Sequence, residues 1–418
     1  MTTLLKNATY IDWKTLGFQS TDILISENGI QFSVKNQNAD EIIDCTGLLV
    51  SKSFAVGHHH VYSALARGMP APKKNPQNFY EILQYIWWTL DKALDKDMIE
   101  ASALATAMAC AKSGNTFVID HHASPNFIEG SLEIIAQAFD KVGLSHLLCY
   151  EITDRDGLDK ASQGLAETEN YLQNHQGLIG LHASFTVGDD TMKKAADLMQ
   201  KYNTGVHIHV AEDLYDQTHC ENHYGKRVVE RLNDFALLNS SKTILGHCLH
   251  LNENERTIIN KSKAFIVQNP ESNLNNNVGF FNARDLGENI MLGTDGMHSD
   301  MIRSAQAAFF AGQKQDIIDF PGAYSRFRKV HEYLQINGFK GDEENNLVVL
   351  DYPSPTPLTK ENFLGHFLFG FREEHVRHVF SNGKLIMKGR KLLTVDENEI
   401  HNFTREQAKR LWARMENI

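Results

Sequence analysis

The chain has 418 residues, 42% hydrophobic and 22% charged, the composition of an ordinary globular protein able to bury a sizeable core. A net charge of -11 argues against a nucleic-acid partner, and no apolar run approaches the roughly 20 residues that would span a membrane. The five cysteines are scattered, without paired spacing, and read as buried thiols of a reducing, cytoplasmic setting.

In chain order the first element is a hairpin. DILISENGIQFSV (22–34) alternates in polarity about Asn28-Gly29, the pairing that supplies the positive φ values of a type I′ turn. SFAVGHHH (53–60) follows as an apolar strand ending in three histidines. On a strand His58 and His60 point the same way, their Cα atoms roughly 6.6 Å apart, so both imidazoles can converge on one ion. His59 points to the other side. NPQNFYEILQYIWWTLDKAL (75–94) starts as a helix, with Asn75 before Pro76 at its first position. Its aromatic residues, Trp88 among them, are candidates to cover a planar heterocycle, although such a stripe is more often core. Arg67 is a candidate to meet an anionic or carbonyl group.

From there short apolar strands alternate with helical stretches, the pattern of βα units about a parallel sheet. The strands are TFVIDH (116–121), SHLLCYEI (145–152), LIGLHASF (178–185), GVHIHVAE (205–212), KTILGHCL (242–249), AFIVQNPE (264–271) and NIMLGTDG (289–296). With 53–60 they make eight. Helices at 98–114 and 132–143 each end in a glycine suited to a C-cap. No phosphate-binding glycine motif follows any strand, which favours a closed (β/α)8 TIM barrel over an open doubly wound sheet. VRHVFSNGKLIMKG (376–389) repeats the hairpin design around Asn382-Gly383. TREQAKRLWARM closes the chain as a helix with a capping box at Thr404 and Gln407. The expected organisation is therefore a barrel over 53–340 and a small β-sandwich domain assembled from 1–52 and 341–418, the latter carrying the terminal helix.

The strand ends carry the chemistry. They finish in His58 and His60; in Asp120, His121 and His122; in Glu151; in His182; in His207, His209 and Glu212; in His247; and in Asp295. In a barrel these ends form one rim, where active sites lie. The need for polar strand ends explains polarity, but not the excess of histidine and carboxylate. His207 and His209 share one face, so either is a candidate ligand. Glu212 lies where its strand leaves the barrel and is placed for general acid–base work. Asp295 offers a fourth ligand and a base.

These motifs identify the chain as resembling the amidohydrolase superfamily of metal-dependent hydrolases. The first-strand His-x-His is His58 and His60, the fifth-strand His-x-x-Glu is His209 and Glu212, the sixth-strand histidine is His247, and the eighth-strand aspartate is Asp295. NPESNLNNNVG (269–279) is similar to the Asn-Pro-x-Ser-Asn segment of many members. VIDHHASPNFIEGSL, HIHVAEDLYD, GTDGMHSDM and DYPSPTPL resemble the SsnA-like branch of aminohydrolases and chlorohydrolases. Lys52 and Ser53 stand where members carry Pro-Gly, and the link from Asp295 to the C-terminal β segment is short, leaving the last barrel helix unassigned.

The resemblance implies one divalent metal, zinc with iron or manganese as alternatives, held by His58, His60, His209 and Asp295 and activating a water. The fourth strand lacks the bridging lysine of two-metal members. It further implies catalytic roles for Glu212, His247 and Asp295, with His182, His122, Asp120, Arg67 and Trp88 as substrate contacts. The leading reading is an aminohydrolase acting on a purine- or pyrimidine-like heterocycle, with a homodimer compatible. Opening of a cyclic amide such as a hydantoin, release of chloride, or a non-catalytic barrel acting through protein contacts are the alternatives.

Overall fold

The computed structural model describes residues 2–33 and 38–418, so residue 34, the end of the first hairpin window, lies outside the described residues. Five strands open the chain: β1 (Thr3–Ile11), β2 (Phe18–Ser26), β3 (Gly29–Phe32), β4 (Glu41–Asp44) and β5 (Leu49–Lys52). Eight parallel strands follow in spatial order: β6 (Phe54–His59), β7 (Asn115–His122), β8 (Ser145–Ile152), β9 (Ile179–Ala183), β10 (Val206–Val210), β11 (Ile244–His247), β12 (Phe265–Gln268) and β13 (Ile290–Leu292). Four more, β14 (Leu347–Leu350), β15 (Val376–Ser381), β16 (Lys384–Lys388) and β17 (Lys391–Leu392), join β1–β5.

Every residue of β6 and β7 is buried, as expected of strands covered on both faces. The ring closes just beyond β13. Thr294 N and Asp295 N donate to the carbonyl of His58 at 3.0 and 3.1 Å, and His60 N donates to the carbonyl of Asp295 at 3.4 Å. Phe117, Ile119, Leu147, Phe265 and Met291 fill the interior. Each such side chain contributes about 1.5–3 kcal/mol. The helix Phe320–Ile336 stoppers the N-terminal end of the barrel: Val330 and Tyr333 enter the same cluster, and the Tyr333 hydroxyl donates to the Lys242 carbonyl at 2.7 Å. The C-terminal rim is the open one.

The termini build a single hydrogen-bonded sheet, β17-β16-β15-β14-β5-β1-β2-β3, which branches where β4 joins β1. It wraps an apolar cluster including Leu5, Ile23, Val50, Val349 and Phe380. Two further helices, Met301–Gly312 and Phe320–Ile336, follow β13, so the last barrel position is filled despite the short link.

Local chemistry corrects several expectations. Asn382 and Gly383, with φ of 49° and 76°, form the primed turn between β15 and β16. In the first hairpin Gly29 instead pairs with Ser26, so Glu27-Asn28 make the turn and only Gly29 takes positive φ. The terminal helix runs Glu397–Met415 and is capped by Asp396, whose carboxylate accepts from Asn398 N and Glu399 N. Thr404 is therefore mid-helix, and its hydroxyl donates to the Ile400 carbonyl. This helix reaches from the terminal sheet, where Glu397 Oε1 accepts from Leu392 N at 2.9 Å, to the barrel, where Trp412 Nε1 donates to Leu65 O at 2.9 Å. The aromatic segment starts at Phe79 behind Asn78, whose side chain accepts from Glu81 N, and not at Asn75-Pro76. The window 264–271 is a strand only to Gln268, because Pro270 opens the short helix Pro270–Asn275.

Candidate active site on the barrel rim

The ends of β6, β10, β11 and β13 bring six side chains to one point. His60 Nε2 and His209 Nε2 are 3.1 Å apart; Asp295 Oδ1 lies 3.2 Å from His60 Nε2 and 3.7 Å from His58 Nε2. His247 Nε2 faces Asp295 Oδ2 at 3.8 Å and Glu212 Oε2 at 3.4 Å. His207, the other candidate on its face, sits one layer lower, its Nε2 against His58 Nδ1 at 2.9 Å.

The far nitrogen of each ring sorts these imidazoles. His60 Nδ1 meets the carbonyl of His121 at 2.7 Å and His209 Nδ1 that of His182 at 2.8 Å. A carbonyl only accepts, so both Nδ1 atoms carry the proton and both Nε2 atoms are bare lone pairs. His58 Nδ1 pairs with His207 Nε2, and its own buried Nε2 has no hydrogen-bond partner. At His247 the polarity reverses: the Asn273 amide donates to its Nδ1 at 2.7 Å, so its Nε2 carries the hydrogen. Burial pushes His58 down to about 3 and His247 to about 4, and lowers His60 and His209 as well. All four rings are neutral at pH 7. Burial works to raise the Asp295 carboxyl, but His58, His60 and His247 outweigh it and hold the group well below the usual carboxylate range. Bare lone pairs 3.1 Å apart repel each other, and a cation between them removes the conflict. Three neutral imidazoles and a carboxylate are a donor set that suits zinc.

The backbone is bent to deliver this set. Ala211, His247 and Asp295 have φ of 47°, 69° and 54°, the left-handed region that costs non-glycine residues energy. The bend at Ala211 turns Glu212 over the site. Gly293 is glycine by necessity, since a Cβ there would lie 2.8 Å from His58 Cβ.

Above this floor the cleft is aromatic. Tyr80, Trp87, Trp88, Phe185 and Tyr215 line it, with Tyr80 and Tyr215 4.5 Å apart and Trp88 6.0 Å from His182. His182, Trp88 and Glu212 thus face the cleft as expected. Three expected contacts do not. Asp120 is buried beneath the rim, accepting from Val61 N at 2.7 Å; His122 points outward to Ser124 Oγ at 2.9 Å; and Arg67 is exposed beyond the cleft lining. Each side chain on a strand end serves only one face, and the alternation that delivers His121 inward turns Asp120 and His122 away. His121 itself donates to the carbonyls of Leu181 and His207, its Nδ1 3.3 Å from Glu151 Oε2. His59 binds Ser299, and His298 binds Glu271.

Arg155 was missed. It lines the cleft, packs over Trp88 at 5.0 Å, and pairs with Glu151 at 2.8 Å and with Asp91. Its place four residues after strand-end Glu151, in EITDRDG, is the one local signal.

A parallel barrel with a histidine–carboxylate floor at its C-terminal rim is the architecture of a metal-dependent hydrolase. Residues 57–319 match the model of the Amidohydrolase family, and the chain belongs to that family. It is 26% identical over 416 residues to a 5'-deoxyadenosine deaminase of Methanococcus maripaludis, covering 92% of this chain and 95% of that one. A 5-methylthioadenosine/S-adenosylhomocysteine deaminase of Caldanaerobacter subterraneus is 24% identical, with 89% of each chain covered. Among solved structures, an adenosine deaminase from Xanthomonas campestris with bound zinc superposes with a TM-score of 0.83 at 18% identity, covering 98% of both chains.

Proposed function

We propose that this protein is a hydrolytic deaminase of an amino-substituted heterocycle, adenine-like in the first instance, using one divalent metal held by His58, His60, His209 and Asp295. The observation that carries the reading is the pair of bare Nε2 atoms of His60 and His209 at 3.1 Å, with Asp295 and Glu212 facing the same point. The metal, zinc before iron or manganese, supplies Lewis acidity that makes water a nucleophile at neutral pH.

The chain's own groups do the rest. Asp295, ionised, takes the proton of the attacking water. His247, with its hydrogen on Nε2, orients that water between Asp295 and Glu212. Burial, and next the charge of Asp295, raise the Glu212 carboxyl well above its ordinary range, so it enters the reaction protonated. It gives that proton to the ring nitrogen beside the attacked carbon and relays the next to the departing amine. Trp88, Tyr80 and Phe185 hold the ring flat and keep bulk water out. His182, whose Nδ1 is tied to Thr186 Oγ1 at 2.6 Å, presents its other nitrogen to the ring edge. The five free, buried cysteines accord with a reducing compartment, and no described helix is long and apolar enough to cross a membrane.

The test is metal analysis of the purified protein followed by an ammonia-coupled screen of heterocyclic amines, with Glu212→Gln as control. Stoichiometric ammonia that the variant abolishes supports deamination. Ring opening without ammonia, or release of chloride, replaces it with another hydrolysis at the same site.

A further inference from the structure

The cleft carries an unbalanced charge pattern that bears on which heterocycle it takes. Among its described lining residues the carboxylates are Glu151, Glu212, Asp213, Asp216 and Asp295, and the single guanidinium or ammonium is Arg155. Arg155 is not free to meet a substrate anion. Glu151 accepts from its Nη1 at 2.8 Å, Asp91 from its Nη2, and Asp156 from its Nε at 3.2 Å, and the plane of the group lies over Trp88. Lys92, one residue past Asp91, is spent on Asp156 at 3.0 Å.

Backbone N–H groups are the other means of holding an anion. The helix Leu214–Tyr224 opens on the cleft with its positive end, yet Asp213 already accepts from Tyr215 N at 2.9 Å, and Asp216 takes Ala211 N and Phe185 N at 2.9 and 3.2 Å. A cation held by His58, His60 and His209 would add positive charge at the floor, where the reacting carbon must sit. A ring substituent would instead project past Asp213, Tyr215 and Tyr80.

We infer that the cleft selects an amino-heterocycle whose substituent is neutral or cationic, and rejects one bearing a phosphate or a carboxylate. There an anion would be stripped of water beside the carboxylates of Asp213 and Asp216, with no cation free to receive it. The inference rests on the deaminase reading for its kinetic test, but not for its binding test.

The experiment uses the metal-loaded enzyme and matched pairs: adenosine, adenosine 5'-monophosphate, methylthioadenosine and S-adenosylhomocysteine. Ammonia release is expected from adenosine and methylthioadenosine, with kcat/KM for the monophosphate lower by about 100-fold or more. The homocysteine derivative carries an ammonium beside its carboxylate, so it should fall below methylthioadenosine by less than the monophosphate falls below adenosine. Rates for neutral and anionic members within threefold overturn the inference. So does loss of methylthioadenosine together with the monophosphate, because size rather than charge would then decide. If no member releases ammonia, the deaminase reading fails by itself. The same pairs then go to calorimetric titration, where tighter binding of the neutral members supports charge selection. Equal binding, or no binding of any neutral member, ends it. Asp91→Asn unties one edge of Arg155 and should narrow the gap between adenosine and its monophosphate roughly tenfold, provided its melting curve matches the parent's. An unchanged gap in a folded Asp91→Asn protein counts against the role given to Arg155.

Discussion

Lys52, the last residue of β5, and His58, near the C-terminal end of β6, lie at opposite ends of the barrel, and each is buried in a polar cluster. At the lower end the Lys52 ammonium finds three oxygens: the carbonyls of Asp342 and Glu343 at 3.0 and 2.5 Å and Asp342 Oδ1 at 3.0 Å. His331 Nδ1 meets Asp342 Oδ2 at 2.7 Å, and Arg328 donates to the carbonyls of Lys52 and Ser53. In that cluster Lys52 and His331 both face the opposite charge of Asp342, and it fastens the terminal sheet to the barrel. At the upper end His58 Nε2 has no partner, and His60 and His209 aim lone pairs at each other. A histidine-rich cluster is structural when its hydrogen bonds close. It is a candidate site when its lone pairs converge on one another without donors to receive them.

Exchanging the two behaviours would break this contrast, and the largest effects test it. Asp295→Ala or His209→Ala should leave almost no metal by elemental analysis and no detectable ammonia release, with the fold retained by circular dichroism. Lys52→Met should do the reverse. It strands the Asp342 charge and costs roughly 3–5 kcal/mol in urea unfolding, while metal per folded chain stays at one. A Lys52→Met protein that lost metal but not stability would collapse the distinction.

Glu212→Gln comes next. It should cut turnover by roughly 10²–10⁴ without changing metal content. Its pH profile sharpens the assignment. Glu212 is raised by burial and then by Asp295, and acts in its protonated form, so kcat should fall as pH rises through its pKa. The Gln variant should lose that alkaline limb. A smaller effect belongs to His207→Ala, which removes the ring that orients His58 and should weaken metal affinity by about 10–100-fold in competition with a chelator. Smallest is Arg67→Ala: exposed and outside the cleft, it should change stability by less than about 0.5 kcal/mol and leave kcat/KM as it was.

The order of the eight strands and the polar residues at their ends are local facts. Period, length and turn chemistry encode them, so β8 was bounded from the sequence to the residue. His58, His60, His209, Glu212, His247 and Asp295 were legible for the same reason: each closes an apolar run, where imidazole and carboxylate are conspicuous. Errors fell where two local signals compete. Asn28-Gly29 and Thr404 each fit a turn or cap motif, but strand pairing and a stronger cap at Asp396 took those positions elsewhere.

What only the tertiary structure decided is which way each ring nitrogen faces and which charges are already spent. The carbonyls of His121 and His182, not the spacing of residues, fix His60 and His209 as lone-pair donors, and Asn273 fixes His247 as a proton donor. Asp91, from the helix Trp88–Ala93, neutralises Arg155 in the turn after β8. Hydrogen-bond direction and charge pairing depend on atoms within a few ångströms in space, and the chain brings those atoms together from segments that carry no mark of one another in sequence.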